Sequence, residues 1–167
     1  MKRKLTLLFA ALMVLFGTTV NAQGPTQSEK EILFSLIAAC GRMHQDAAQL
    51  GGTLQSLSAL YYHGGNGQGV QNQISAKIST ANDLSSAIGS DVNFLSRTTV
   101  PRGNRLIYGE IGATGQNYLT WRNRFVAWTN TNNPAPAVLD DVRGAVSDFK
   151  EQVQWLKVEF EAIVITY

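Results

Sequence analysis

Cys40 and His44 stand four residues apart, the spacing at which two side chains meet on a helix. A thiolate beside an imidazole becomes a nucleophile when it opens on a cleft. Around Cys40, however, Leu33, Leu36, Met43 and Ala47 recur at steps of three and four. This places the sulfur on an apolar helical stripe, where a cysteine behaves as a small buried hydrophobe. A lone cysteine has no intramolecular disulfide partner, so pairing between chains is the alternative fate of Cys40.

The remaining chemistry-bearing residues form no recognisable constellation. Haem or a di-metal site needs histidines on facing helices or a Glu-x-x-His pair, and the chain has only His44 and His63. Met43 finds no histidine on a later helix, and Cys-x-x-Cys-His is missing. No serine sits in Gly-x-Ser-x-Gly. Asp140-Asp141 and Glu159/Glu161 resemble acid–base pairs, but carboxylates one or two residues apart on a helix point in different directions. They read as helix-start charges and a solvated face. The expectation is a protein that is not an enzyme, with no catalytic residues, no metal and no cofactor.

The elements that carry these residues are long amphipathic helices. The last is the clearest: Leu139, Val142, Val146, Phe149, Val153, Leu156, Phe160 and Ile163 alternate steps of three and four. Similar stripes predict helices at about 27–62, 69–96, 104–130 and 137–166. Thr26 with Glu29, and Ser28 with Glu31, both have capping-box spacing before the first. Gly51-Gly52 weakens that helix, yet the stripe keeps phase across it, so one long helix is expected with the length to project beyond the others. His63 to Gly69, Thr98 to Gly103 and Asn130 to Pro136 read as turns. Such short connections make successive helices antiparallel neighbours. The fold class is all-α: an elongated antiparallel four-helix bundle, up-down-up-down.

Ahead of this single domain at 23–167, residues 1–22 have the pattern of a secretory signal peptide. Lys2, Arg3 and Lys4 precede an apolar run from Leu5 to Phe16, and Val20-Asn21-Ala22 offers a cleavage site. That run is short for a bilayer span, and no later stretch is apolar enough to be one. The protein is therefore expected to be exported, to a periplasm or beyond. Three of the 14 basic residues belong to the leader, leaving 11 against 12 acidic, a formal charge of −1. Nothing in that balance points to nucleic acid.

Two surfaces and one interior region are candidate sites. Arg97, Arg102, Arg105, Arg122 and Arg124 face only Glu110 between positions 97 and 124, with Tyr108 among them. Arginine beside aromatics is the composition of binding hot spots, so the loop at 97–105 is a candidate dock for an acidic partner or an anionic envelope lipid. The competing reading pairs these arginines with the acidic last helix. Gly109, Gly112 and Gly115 form a strip of missing side chains that admits another backbone, from the same bundle or from another protomer. Trp121, Phe125, Trp155 and Phe160 would line an apolar pocket if the chain bound a small molecule, such as a lipid. The layout is similar to that of exported helical proteins, among them minor pilin and secretion-apparatus subunits, though no motif carries a residue over from them. The leading expectation is a structural or protein-interaction subunit of the cell envelope, self-associating or bound to a partner. The alternative is a periplasmic ligand-binding bundle.

Overall fold

The computed structural model describes residues 24–131 and 135–166. The expected leader, Gln23, part of the last linker and Tyr167 lie outside them. Four helices follow in order: α1 Gln27–His63, α2 Gln68–Arg97, α3 Arg105–Thr129 and α4 Pro136–Thr166. The fold is an antiparallel four-helix bundle. Each helix packs on its two neighbours, α1 with α4 most extensively and α2 with α3 over the thinnest seam.

The helix starts follow from local chemistry. Of the two capping boxes in the sequence, Thr26 and Glu29 form the real one. The Glu29 amide donates to Thr26 Oγ1 at 3.2 Å and the Thr26 amide donates to Glu29 Oε2 at 2.6 Å. That second bond, helped by Arg102, holds the Glu29 carboxyl below the usual range. Asn104 caps α3 by accepting from the Ile107 amide at 2.9 Å. Pro136 opens α4, where a missing N–H costs nothing. Helix α1 runs through Gly51-Gly52 unbroken for 37 residues. Burial of Leu50, Leu54 and Leu57 on either side outweighs the weak propensity of the pair.

The stripes read from the sequence are the core. All eight stripe residues of α4 are buried, as are Leu33, Leu36, Met43, Leu50 and Leu54 of α1. Cys40 is completely buried, and that burial, followed by the charge of Asp91, pushes its thiol up to about 12. Trp121 packs edge-on against Tyr118 and Phe149, with ring centres 5.1 and 6.0 Å apart. At the far end Tyr61 reaches across the bundle to Trp128, centre to centre 5.2 Å. Trp128 Nε1 also donates to the Ala135 carbonyl at 3.0 Å, closing the α3–α4 connection.

Candidate interaction surface

The end of the bundle where α1 starts and α2 turns into α3 is built around a tight turn. Val100, Pro101, Arg102 and Gly103 close it, the Gly103 amide donating to the Val100 carbonyl at 3.0 Å. Proline presets the second position, and the third requires positive φ in a type II turn. Arg102 occupies that third position with φ 58°. A non-glycine side chain there is disfavoured by about 1–2 kcal/mol. Tyr108 clamps the turn from the first turns of α3. Its hydroxyl accepts from the Val100 amide at 3.1 Å and donates to the Val100 carbonyl at 3.2 Å. Gly103 is needed beneath that ring: an added Cβ would lie 2.8 Å from Val100 Cβ and 3.1 Å from Tyr108 Cε2. The turn thus displays Arg102 in a conformation that glycine would adopt more easily, a kind of strain that concentrates at functional sites.

Among the described residues no ion pair joins Arg97, Arg105, Arg122 or Arg124 to α4. Arg102 reaches Glu29 at the start of α1, 4.0 Å away. Among the described residues, Arg97, Arg105, Arg122 and Arg124 have no ion pair. The α4 charges are used locally instead, Asp140 with Arg143 at 3.6 Å and Glu161 with Lys157 at 3.6 Å. Asp140 also accepts from Ser58 of α1 at 3.4 Å. The geometric reason is direction: α3 turns Tyr118, Trp121 and Phe125 inward, leaving its own Arg105 and Arg124 exposed on the outside, as Arg97 is at the end of α2. Beside Arg105 lies Leu106, 65 % exposed, and Tyr108 is 43 % exposed despite its clamp. A shallow groove runs along Arg105, Leu106, Gly109 and Glu110. A second one, across the α1–α2 seam, is lined by Glu31, Ile32, Phe94 and Thr98.

The glycine strip divides. A Cβ added at Gly109 or Gly112 would meet nothing within 4 Å, and at Gly115 it would touch Val92 at an ordinary 3.8 Å. No neighbouring helix of this bundle therefore depends on their bareness. Gly112 and Gly115 instead border a groove of about 390 Å³ between α2 and α3, with Val92, Ile111 and Leu119. The glycine that packing does require is Gly89 on α2, which sequence reading passed over. Its Cβ would clash with the hydroxyl of Tyr118 and lie 2.9 Å from its ring carbon Cζ. Tyr118 sits there to donate to the Ser85 carbonyl at 3.1 Å. An isolated glycine within a helical stripe was the available signal.

The four aromatics of the apolar-pocket reading lie as follows. Trp121, Phe125 and Phe160 are fully buried, and Trp155 is half-buried against the core. Phe125 stacks on Trp128, 6.1 Å between ring centres. Among the described residues no group of three His, Cys, Asp or Glu side chains converges in a way that would hold a metal ion. Likewise no described helix is long and apolar enough to cross a membrane.

A further feature absent from the sequence reading joins α1 to α2. Arg42 donates through Nε to Asp91 Oδ2 at 3.0 Å and through Nη2 to the other carboxylate oxygen. Asp46, one turn along α1, is left beside Asp91. Partial burial, then the Asp91 charge, raises its carboxyl above the ordinary value, with Arg42 opposing. No family model matches the chain, and no curated protein or solved structure matches it either.

Proposed function

We propose that this chain is a non-enzymatic, exported structural or protein-interaction subunit of the cell envelope, part of a larger assembly of the secretion-apparatus or pilus kind. It docks an acidic protein surface through the end formed by the 97–105 turn and the start of α3. The observation that carries the reading is the unpaired, exposed state of Arg97 and Arg105 beside exposed Leu106 and Tyr108. A guanidinium without an internal partner, next to apolar area, is the composition of an interface centre. Export is supported by the residues 1–22 and by the low charged fraction of the chain, 16 %. The ligand-binding alternative gains nothing from Trp121, Phe125 and Phe160, which are sealed inside the bundle rather than lining an opening.

A photoreactive amino acid placed at Leu106, in cells of the source, tests the reading. The expected outcome is a discrete protein adduct that disappears when Arg97→Glu and Arg105→Glu are added. No adduct at this position, together with a reproducible small-molecule mass in native mass spectra of the purified protein, would overturn it.

A further inference from the structure

We propose that the arginine end is closed by a second copy of this chain in a two-fold dimer, the start of α3 in each copy lying on the start of α1 in the other. The dimer rests on the docking role proposed for that end and supplies its partner. Nine large apolar side chains are exposed among the described residues, and all but Tyr62 and Leu119 lie within about 12 Å of this end at the helical rise. Apolar area gathered in one place on a surface marks an interaction site. It lies on all four helices, so a partner must cover the end as a whole.

Charge divides the end in two. The start of α3 offers exposed Arg105 with Leu106 and Tyr108, and the start of α1 offers exposed Glu31 with Ile32 and Phe34. Lys30 and Glu110, the residues of opposite sign in these two segments, are each half-buried. Among the described residues neither Arg105 nor Glu31 has an ion pair. Both α1 and α3 pack on α2 and α4, so they stand on a diagonal of the bundle. Within one copy the acidic start and the basic start therefore cannot lie face to face, although Arg102 reaches across to Glu29 at 4.0 Å. A two-fold turn about the other diagonal, through α2 and α4, brings two such ends together and sets α3 over α1 twice. Arg105 then meets Glu31. Leu106, the more exposed neighbour, meets the groove between α1 and α4 that is lined by Phe34, Ile37, Val164 and Ile165, with Glu161 at its edge. An unrelated acidic surface would satisfy the α3 side and leave the acidic, apolar α1 side bare. A second copy satisfies both, because an isologous contact makes every pairing twice.

Charge exchange tests the pairing. Sedimentation of the purified wild-type chain at about 100 µM is expected to show a dimer. Arg105→Glu and Glu31→Arg are each expected to weaken it at least about tenfold, since like charges then meet at both contacts. The two changes together in one chain are expected to restore the dimer, with the signs reversed across the interface. Arg105→Glu with Asp83→Arg has the same net charge as that double variant, but residue 83 is exposed on the middle of α2, and this chain is expected to stay monomeric. Circular dichroism melts should show every variant folded, because all three positions are exposed in the monomer. Equal rescue by Asp83→Arg would overturn the proposal, as would an open-ended series of oligomers in place of a dimer. A purified wild-type chain that sediments as a monomer, while the Leu106 probe still captures a different protein in cells, would overturn the dimer and leave the docking role standing.

Discussion

Replacing Gly89 with alanine adds one methyl group, and the bundle has no place for it. The new Cβ would press into the Tyr118 hydroxyl and approach its Cζ to 2.9 Å. Glycine sits on a helix and tyrosine on its neighbour, so relief requires α2 and α3 to separate or Tyr118 to leave its rotamer. Tyr118 is held on three sides: its hydroxyl donates to the Ser85 carbonyl at 3.1 Å, and its ring packs on Trp121 and Phe149. Overpacking of a filled site costs about 1–3 kcal/mol. Loss of the buried hydrogen bond adds about 1 kcal/mol. Alanine returns about 1 kcal/mol through its better helix propensity. The expected net loss is therefore about 2 kcal/mol, or a fall in Tm of about 6–8 °C for a domain of this size. Thermal and urea unfolding followed by circular dichroism measure it. The same substitution in a Tyr118→Phe background should cost less, because the hydroxyl that collides is gone; the coupling expected is about 1 kcal/mol. If Gly89→Ala melts at or above the wild-type temperature, the α2–α3 seam is not packed as described and the reasoning fails.

Gly112→Ala gives the opposite sign: with open space around it, urea titration should show a gain approaching about 1 kcal/mol. A loss there would reveal a backbone already pressed against this strip. Arg102→Val should lower stability by about 1–2 kcal/mol because a β-branched residue resists positive φ. Arg102→Gly should stay within about 1 kcal/mol of wild type, since the long, partly solvated pair with Glu29 contributes little and glycine relieves the positive φ. Cys40, buried and with its thiol pushed up to about 12, should resist iodoacetamide in the folded protein at neutral pH and label on unfolding, as mass spectrometry would show. Asp46 has a folded pKa raised above its unfolded value, so its ionised form is disfavoured in the fold at neutral pH. Asp46→Asn should therefore raise Tm modestly at neutral pH. That gain should vanish on acidification below the ordinary carboxylate range, where the wild-type group is protonated in both states.

Periodicity carried most of the fold because burying a stripe is a one-dimensional problem. Leu139 to Ile163 shows its phase without reference to any other helix, and the turns between α1 and α2 and between α2 and α3 are marked by clustered glycines and by Pro101, which disfavour a helix. The helix limits at 27, 97, 129 and 166 follow from those two signals, to within a residue or two. The candidate site was legible in composition but not in contact. Arg97, Arg102 and Arg105 stood out by type, yet their partners depend on which way each helix faces. Arg102 meets Glu29 across 73 positions of sequence, and among the described residues Arg97, Arg105, Arg122 and Arg124 have no ion pair, so the competing pairing with α4 is not formed by them.

What the sequence by itself determined is the class of the protein: four amphipathic helices, their order and limits, and a cysteine destined for the core. Each of these follows from local propensity and from hydrophobic period, which neighbours along the chain encode. What only the tertiary structure decided is which small residues are obligatory and which are spare. Gly89 and Gly112 are indistinguishable as letters. One lies under the Tyr118 hydroxyl and the other faces open space, because the thin α2–α3 seam closes at one level and parts at another.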